Sequence, residues 1–239
     1  MSRPSISIVI PAHNEEQNLP KLIGQILKIV GSDLKEILIV DDCSTDSTPQ
    51  LADELARKYG KVKAIHRKPP GGLGRAIRAG FARATGNYVV TMDADFEMLP
   101  QDVPKMFKKM RDSGCDAVVG SRFMGGSVLR GYSRMKLVYN RVFNFVFRAL
   151  LWTGISDLTF GFKVLSKRVV RSIRWTATQH GIATETTVMP IAMGYRVCEL
   201  PVSWIRRKHG KSSFKVSYNL QYVKMGLRAV ARKWRRALK

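Results

Sequence analysis

Acidic residues are scarce in this chain and nearly absent from its second half. Residues 1–116 carry 17 basic and 15 acidic side chains, whereas residues 117–239 carry 24 basic and three acidic ones, Asp157, Glu185 and Glu199. A field that one-sided calls for an anionic partner: nucleic acid, a phosphorylated substrate or an anionic bilayer surface. Cysteine is scarce too. Cys43, Cys115 and Cys198 form no CxxC pair, which speaks for a reducing compartment and against a disulfide framework. The four histidines, His13, His66, His180 and His209, show no zinc-ligand spacing. Long apolar runs are missing as well. Residues 1–20 contain PAHNEE and lack the apolar stretch of a secretory signal. The longest such stretch, VFNFVFRALLW at 142–152, is broken by Asn144 and Arg148 and is too short to span a bilayer. No membrane crossing is expected. At 239 residues, 45% of them hydrophobic, one domain with one substantial core is the default.

What the chain does have is a knot of acids. Residues 89–100 read VVTMDADFEMLP, a β-branched run followed by Asp93, Asp95 and Glu97. Carboxylates this close repel one another unless a positive charge sits among them. On pattern alone two readings stand. One is a solvated loop; the other is a site for a hard divalent cation such as Mg²⁺ or Mn²⁺, which prefers carboxylate oxygen.

The first half has a strand–helix rhythm. SISIVI (5–10), EILIV (36–40), VKAIH (62–66), YVVTM (88–92) and DAVVG (116–120) are short apolar runs that read as buried strands. After the first, Leu19, Leu22, Ile23, Ile26 and Leu27 recur on one side of a helix. After the second, Ser44 and Asp46 offer capping oxygens before Leu51, Leu55 and Ala56. A helix around 73–84 follows RKPPGGLG, and another follows Pro100. This alternation predicts an α/β protein with a doubly wound, mostly parallel sheet flanked by helices, whose ligands gather at the carboxyl ends of the strands. Asp41, Asp42, Asp93, Asp95 and Glu97 all fall at such ends. Two glycine-rich stretches are decoys. Ile77 stands at the third position of a dinucleotide fingerprint, and Ile205 stands where a P-loop ending in GKS (210–212) needs glycine.

The second half loses this rhythm. Residues 134–152 place Met135, Val138, Val142, Phe145, Val146 and Ala149 on one helix side, and Arg134, Arg141, Asn144 and Arg148 on the other. Packing on the core and lying in a membrane interface are both open for that helix. Near the end, Val216, Leu220, Val223, Leu227, Val230, Trp234 and Leu238 form a stripe opposite Lys224, Arg228, Arg232, Arg235 and Lys239. Residues 200–239 hold twelve basic side chains and no acid. For 214–239 the expectation is therefore a basic amphipathic helix at an anionic membrane surface, where each cation adds about 1 kcal/mol.

Several stretches in series resemble the inverting family-2 glycosyltransferases of GT-A fold, and within them the dolichyl-phosphate mannose synthases. These stretches are IPAHNEEQNLP (10–20), IVDDCSTDST (39–48), GGLGRAIRAG (71–80), GNYVVTMDADFEMLP (86–100), VVGSRF (118–123), DLTFGFKVLSKRVV (157–170) and ELPVSWIRRKHGKSS (199–213). The likeness covers residues 5–213, so 1–213 is expected to be the GT-A catalytic domain. It implies that Pro11, Ala12, Glu15 and Asp42 line a nucleotide pocket, and that Asp93 and Asp95 serve metal and nucleotide diphosphate. Glu97, where the family often has Gln, joins them as a metal ligand. Arg122, Arg134 and Arg207 match arginines that hold donor and acceptor phosphates. His13 stands where Tyr is common, Cys43 where Gly is common, and Ser213 where Lys often follows RxxGxS.

The resemblance implies transfer of mannose from GDP-mannose to dolichyl or another polyprenyl phosphate, with Mg²⁺ or Mn²⁺ as cofactor. A departing nucleoside diphosphate needs a divalent cation and arginines. A phosphate acceptor, with a second pKa of about 6, needs positioning more than a base. Asp157 is the one residue that could act as a base; otherwise it orients an arginine or caps the 157–163 loop. The enzyme is expected to sit peripherally on the cytoplasmic face of a membrane, with a membrane-anchoring partner subunit an open question. Glucose transfer from UDP-glucose is a rival within the class. A nucleic-acid-binding protein is a rival outside it, which the acid cluster and the apolar stripe at 216–238 argue against.

Overall fold

Ile6, Ile8 and Ile10 enter one hydrophobic cluster and Val9 the other, the period-two alternation of a strand buried on both faces. The computed structural model describes residues 5–207 and 218–238. The five runs expected as strands are β1 (Ile6–Ala12), β2 (Leu34–Asp41), β3 (Val62–His66), β4 (Tyr88–Thr91) and β5 (Ala117–Ser121). Between them lie α1 (Leu19–Val30), α2 (Thr48–Lys58), α3 (Leu73–Arg83) and α4 (Asp102–Ser113). Leu19, Leu22, Ile23 and Ile26 of α1 are fully buried, as their spacing requires. Asp46 accepts the Thr48 N–H (2.9 Å) at the start of α2.

The second half adds β6 (Leu129–Arg130), α5 (Arg134–Leu150), β7 (Lys163–Ser166), α6 (Lys167–Ser172), α7 (Gly181–Ala192), β8 (Val197–Pro201), β9 (Trp204–Ile205) and α8 (Tyr218–Ala237). The main sheet runs β3-β2-β1-β4-β7-β5-β8. β7 is antiparallel to both its neighbours, β4 and β5; the other pairs are parallel. β6 and β9 form a separate two-stranded sheet. The direction of winding reverses beside β1, where β2 and β3 go to one side and β4 to the other, so the crevice past their carboxyl ends is the natural ligand site.

One face of the sheet carries α1, α2 and α4; the other carries α3 and α7, with α8 and Phe147 of α5 beyond. Gly80 permits close packing of α3, since a Cβ there would lie 2.3 Å from Val9 Cγ1. α7 is buried on nearly every side, with only Ile191 partly accessible.

One expectation changes here and one open question closes. Cys115 and Cys198 are joined by a disulfide, their Cα atoms 6.1 Å apart. Residue spacing gave no hint of it, because the pairing depends on β8 lying beside β5, 83 residues away in sequence. Cys43 is free. The apolar stripe of α5 does not pack on the core, and among the described residues the stripe of α8 does so only through Val230. Phe145 is 77% exposed, Trp152 91%, Leu220 73% and Trp234 60%. Contact with the domain is made by Phe143, Asn144 and Phe147 on α5 and by Met225, Gly226, Ala229 and Val230 on α8. Core packing of the 134–152 stripe is thus excluded. Val216, at the start of the terminal stripe, lies outside the described residues. Among the described residues no helix is long and apolar enough to cross a membrane.

Candidate active site

Loops at the carboxyl ends of β1, β2 and β4 meet in a cavity of about 770 Å³. Three of them turn through left-handed backbone at residues other than glycine: Asn14 (φ 56°), Cys43 (φ 63°) and Phe96 (φ 61°). Asn tolerates this region, whereas Cys and Phe occupy it at a cost, and such strain concentrates where function fixes the backbone. Position 43 explains itself: a glycine would be relaxed there, and Cys43 adopts the same turn.

Pro11, Ala12, Glu15 and Asp42 all line the cavity, together with Gly71 and Gly72. Asp42 is held from two sides: one carboxylate oxygen accepts the Gly72 N–H (2.6 Å) and the other accepts Arg67. Thr48 Oγ1 accepts the Glu15 N–H at 2.8 Å, and Asn18 donates to the Glu15 carboxylate at 2.7 Å. These bonds fix the β1–α1 and β2–α2 loops against each other.

Asp93, Asp95 and Glu97 follow β4 into the same cavity. Arg207, from the segment after β9, reaches across the fold to meet them. Its guanidinium pairs with Asp95, with Glu97 (3.3 Å) and with Glu15 (3.5 Å). Three carboxylates therefore share one guanidinium, and Asp93 adds a fourth negative charge to the same cavity. Burial, then Glu97, pushes the Asp93 carboxyl up to about 6; burial, then Asp93, pushes that of Asp95 up to about 8. Glu15 is likewise raised, chiefly by burial. Such a cluster is short of positive charge. Glu97 is turned aside, accepting the Trp204 indole N–H at 3.0 Å as well as Arg207. Among the described residues no group of three or more His, Cys, Asp or Glu side chains is gathered as a ready cage for a metal ion. The expected trio thus shares a cavity without forming a closed ligand set.

Arg122 lies deeper in the cavity wall. It forms a two-pronged pair with Asp157 (2.8 and 3.0 Å) and also donates to Thr159 (2.8 Å) and to the Tyr132 hydroxyl (2.9 Å). Burial would raise the Asp157 carboxyl, but Arg122 outweighs it and holds the group below its ordinary range. Glu199 braces the loop by accepting the Ser156 hydroxyl (2.9 Å) and the Asp157 N–H (3.0 Å). Asp157 is fully enclosed, so the arginine-orienting arrangement is the one present. Lys163, also fully buried, donates to the carbonyls of Phe160 and Ala183, and burial pushes its ammonium down to about 7.

Arg134 departs from expectation. It is exposed at the first turn of α5 and does not line the cavity. Two positions on, about 200° around the helix, Lys136 lines it instead, with Tyr139, Asn140 and Tyr222 of α8. Sequence reasoning missed these residues, along with Arg67, Gln179 and His180. Helical phase could have exchanged Arg134 for Lys136 had the buried side of α5 been known. Arg207 is described, but the rest of its motif, from Lys208 through Ser213, lies outside the described residues.

A family model for glycosyl transferase family 2 matches residues 7–174, the span that holds the sheet core and the acid cluster. The chain belongs to glycosyl transferase family 2. It is 33% identical over 212 residues to polyprenol monophosphomannose synthase of Mycolicibacterium smegmatis, covering 86% of this chain and 79% of that protein. It is 31% identical over 221 residues to dolichol-phosphate mannosyltransferase of Pyrococcus furiosus, covering 92% of this chain but only 62% of that longer protein. Among solved structures it superposes on glucosyl-3-phosphoglycerate synthase of Mycobacterium tuberculosis in complex with UDP. That match has a TM-score of 0.74 at 20% identity and covers 95% of this chain and 80% of that one. The same enzyme with Mn²⁺ and UDP-glucose also gives 0.74, at 20% identity, covering 95% and 79%. At that identity the likeness speaks for the fold. This glycosyltransferase has the GT-A arrangement, a mostly parallel seven-stranded sheet flanked by helices.

Proposed function

We propose that this glycosyltransferase moves mannose from GDP-mannose to a polyprenyl phosphate such as dolichyl phosphate, with inversion at the sugar carbon. One observation carries the reading: a single cavity joins the acid cluster and Arg207 to Lys136, Tyr139 and Asn140, on a helix whose outer face is apolar and exposed. The names of the two relatives support the same donor sugar and acceptor class.

The donor end is built from Pro11, Ala12, Glu15 and Asp42. Asp42, clamped by Arg67 and Gly72, offers a fixed anionic edge to the nucleoside. The residues fit Mg²⁺ or Mn²⁺. Asp93 and Asp95 would hold it through carboxylate oxygens, the donors hard cations prefer. Bound there, it would neutralise charge developing on the leaving diphosphate. Arg207, which pairs with Asp95, Glu97 and Glu15, would also face that diphosphate.

At the other end Lys136 takes the role expected of Arg134, drawing in the acceptor phosphate beside Asn140. Arg122, its charge balanced by Asp157, holds a fixed guanidinium in that region. The phosphate nucleophile is already ionised near neutral pH, since its second pKa is about 6. No general base is required, and Asp157 is a positioning residue. The exposed stripes of α5 and α8 with their flanking cations suit an anionic membrane interface on the cytoplasmic side, from which the lipid phosphate reaches the cavity.

A donor screen by thermal shift, with and without Mn²⁺, tests the donor half, because a ligand of the native state raises its apparent stability by mass action. GDP-mannose should raise the Tm in Mn²⁺. A shift with UDP-glucose alone would replace the donor.

A further inference from the structure

α8 carries a feature that belongs neither to the catalytic cavity nor to the exposed stripe. A groove of about 400 Å³ lies between α8 and the segment joining α6 to α7; Arg174, Arg228, Arg232 and Arg235 line it, with Met189 and Met193. Arg228 is committed structurally. It pairs with the buried Glu185, which also accepts the N–H groups of Thr176 (2.9 Å) and Ala177 (2.9 Å), and it donates to the Arg174 carbonyl at 3.0 Å. Among the described residues, Arg174, Arg232 and Arg235 have no carboxylate partner. Three further guanidinium groups, all exposed to solvent, thus border one concavity. An anion seated in the concavity would be shared among them, and the guanidinium fork matches phosphate oxygens two at a time.

Arg228, Arg232 and Arg235 recur at steps of four and three, so they form one row along the helix. Leu227 and Trp234, immediately before Arg228 and Arg235, belong to the exposed apolar stripe, which puts the two rows about 100° apart on the same helix. A helix lying with that stripe among acyl chains holds its flanking arginines at headgroup level. We propose that this groove is a binding site for the headgroup phosphate of an anionic lipid, separate from the acceptor phosphate's place in the cavity. The inference rests on the membrane reading given above. Seating a phosphate here would fix α8 against α7, whose first turn borders the catalytic cavity at Ala183.

The test is vesicle sedimentation of the full chain on phosphatidylcholine vesicles containing phosphatidic acid, against vesicles containing enough oleate to give the same measured surface charge. Wild type should partition about fivefold more strongly onto the phosphate-bearing vesicles, the size of one added pairing at an anionic surface. Arg232→Lys with Arg235→Lys keeps the charge, removes the fork and should abolish that preference. Lys224→Ala with Arg148→Ala should weaken binding to both vesicles and leave the preference intact. Equal binding of wild type to the two vesicle types, or an unchanged preference in the double Lys variant, overturns the site. Should wild type bind no vesicle, the membrane reading itself fails. Calorimetry with glycerol phosphate then decides: saturable binding lost in the double Lys variant upholds a phosphate site in the groove, and its absence overturns it.

Discussion

Asp95→Asn should make the metal-free protein more stable and deprive it of its response to metal. Asp95 is 4% exposed, Glu97 and Glu15 share Arg207 with it, and Asp93 adds its charge nearby. Its carboxyl is pushed from an ordinary 3.8 up to about 8, first by burial and then by Asp93. At about 1.36 kcal/mol per pKa unit, that shift caps the cost of keeping this one group protonated in the fold at about 6 kcal/mol. Below its unfolded pKa both folded and unfolded chains hold the proton, and the group costs nothing. As pH rises from about 4 to about 8 the unfolded chain releases the proton while the fold retains it, so stability drains away across that window. Relaxation and the loss of a charged partner for Arg207 reduce the gain, so Asn should add about 1–3 kcal/mol at pH 8, or roughly 2–10 °C in Tm for a domain this size. Differential scanning fluorimetry in a chelator, from pH 5 to pH 8.5, is the assay. The advantage of Asn should grow with pH, and Mn²⁺ should raise the Tm of wild type much more than that of the variant. A variant less stable than wild type at pH 8, or equally stabilised by Mn²⁺, would refute the reasoning.

Other outcomes follow from the same geometry. Asp157→Ala strands Arg122 without its buried partner and should cost about 3–5 kcal/mol in chemical denaturation. Asp157→Asn, which keeps a hydrogen-bond acceptor, should leave the pH profile of kcat unchanged, whereas a catalytic base would shift it. Lys163→Met leaves two buried carbonyls without their donor and should cost about 1–3 kcal/mol, read from the urea midpoint. Gly226→Ala drives a Cβ to 2.3 Å from Phe147 Cε1; overpacking of about 1–3 kcal/mol should loosen α8 from α5, with nucleotide affinity by calorimetry unaffected. Replacing Leu227 and Trp234 by Ser should abolish vesicle binding at unchanged Tm, since both side chains are exposed.

The strand–helix half was legible because most of its strands are buried on both faces and read as short apolar runs, while α1 buries one clean stripe. α7 was not, since a helix enclosed on nearly all sides has no polar face to give it a period. β7 was hidden for another reason. It is four residues long and begins with Lys163, a charged residue that burial conceals between β4 and β5. The acids of the site were visible as an anomaly in a basic chain. Their partner Arg207 was found only through the family resemblance, since 110 residues separate it from Glu97. Lys136 was missed because the resemblance put Arg134 in that role, and the apolar stripe, which faces outward, gave no sign of which side of α5 meets the cavity.

The central claim is most directly tested by following labelled mannose. Wild type incubated with labelled GDP-mannose, Mn²⁺ and a polyprenyl phosphate in vesicles should deliver label to the organic phase, and omission of the lipid phosphate, chelation of the metal or Asp95→Asn should each remove it. Label that stays in the aqueous phase with wild type, or reaches the lipid undiminished in the Asn variant, would contradict the account.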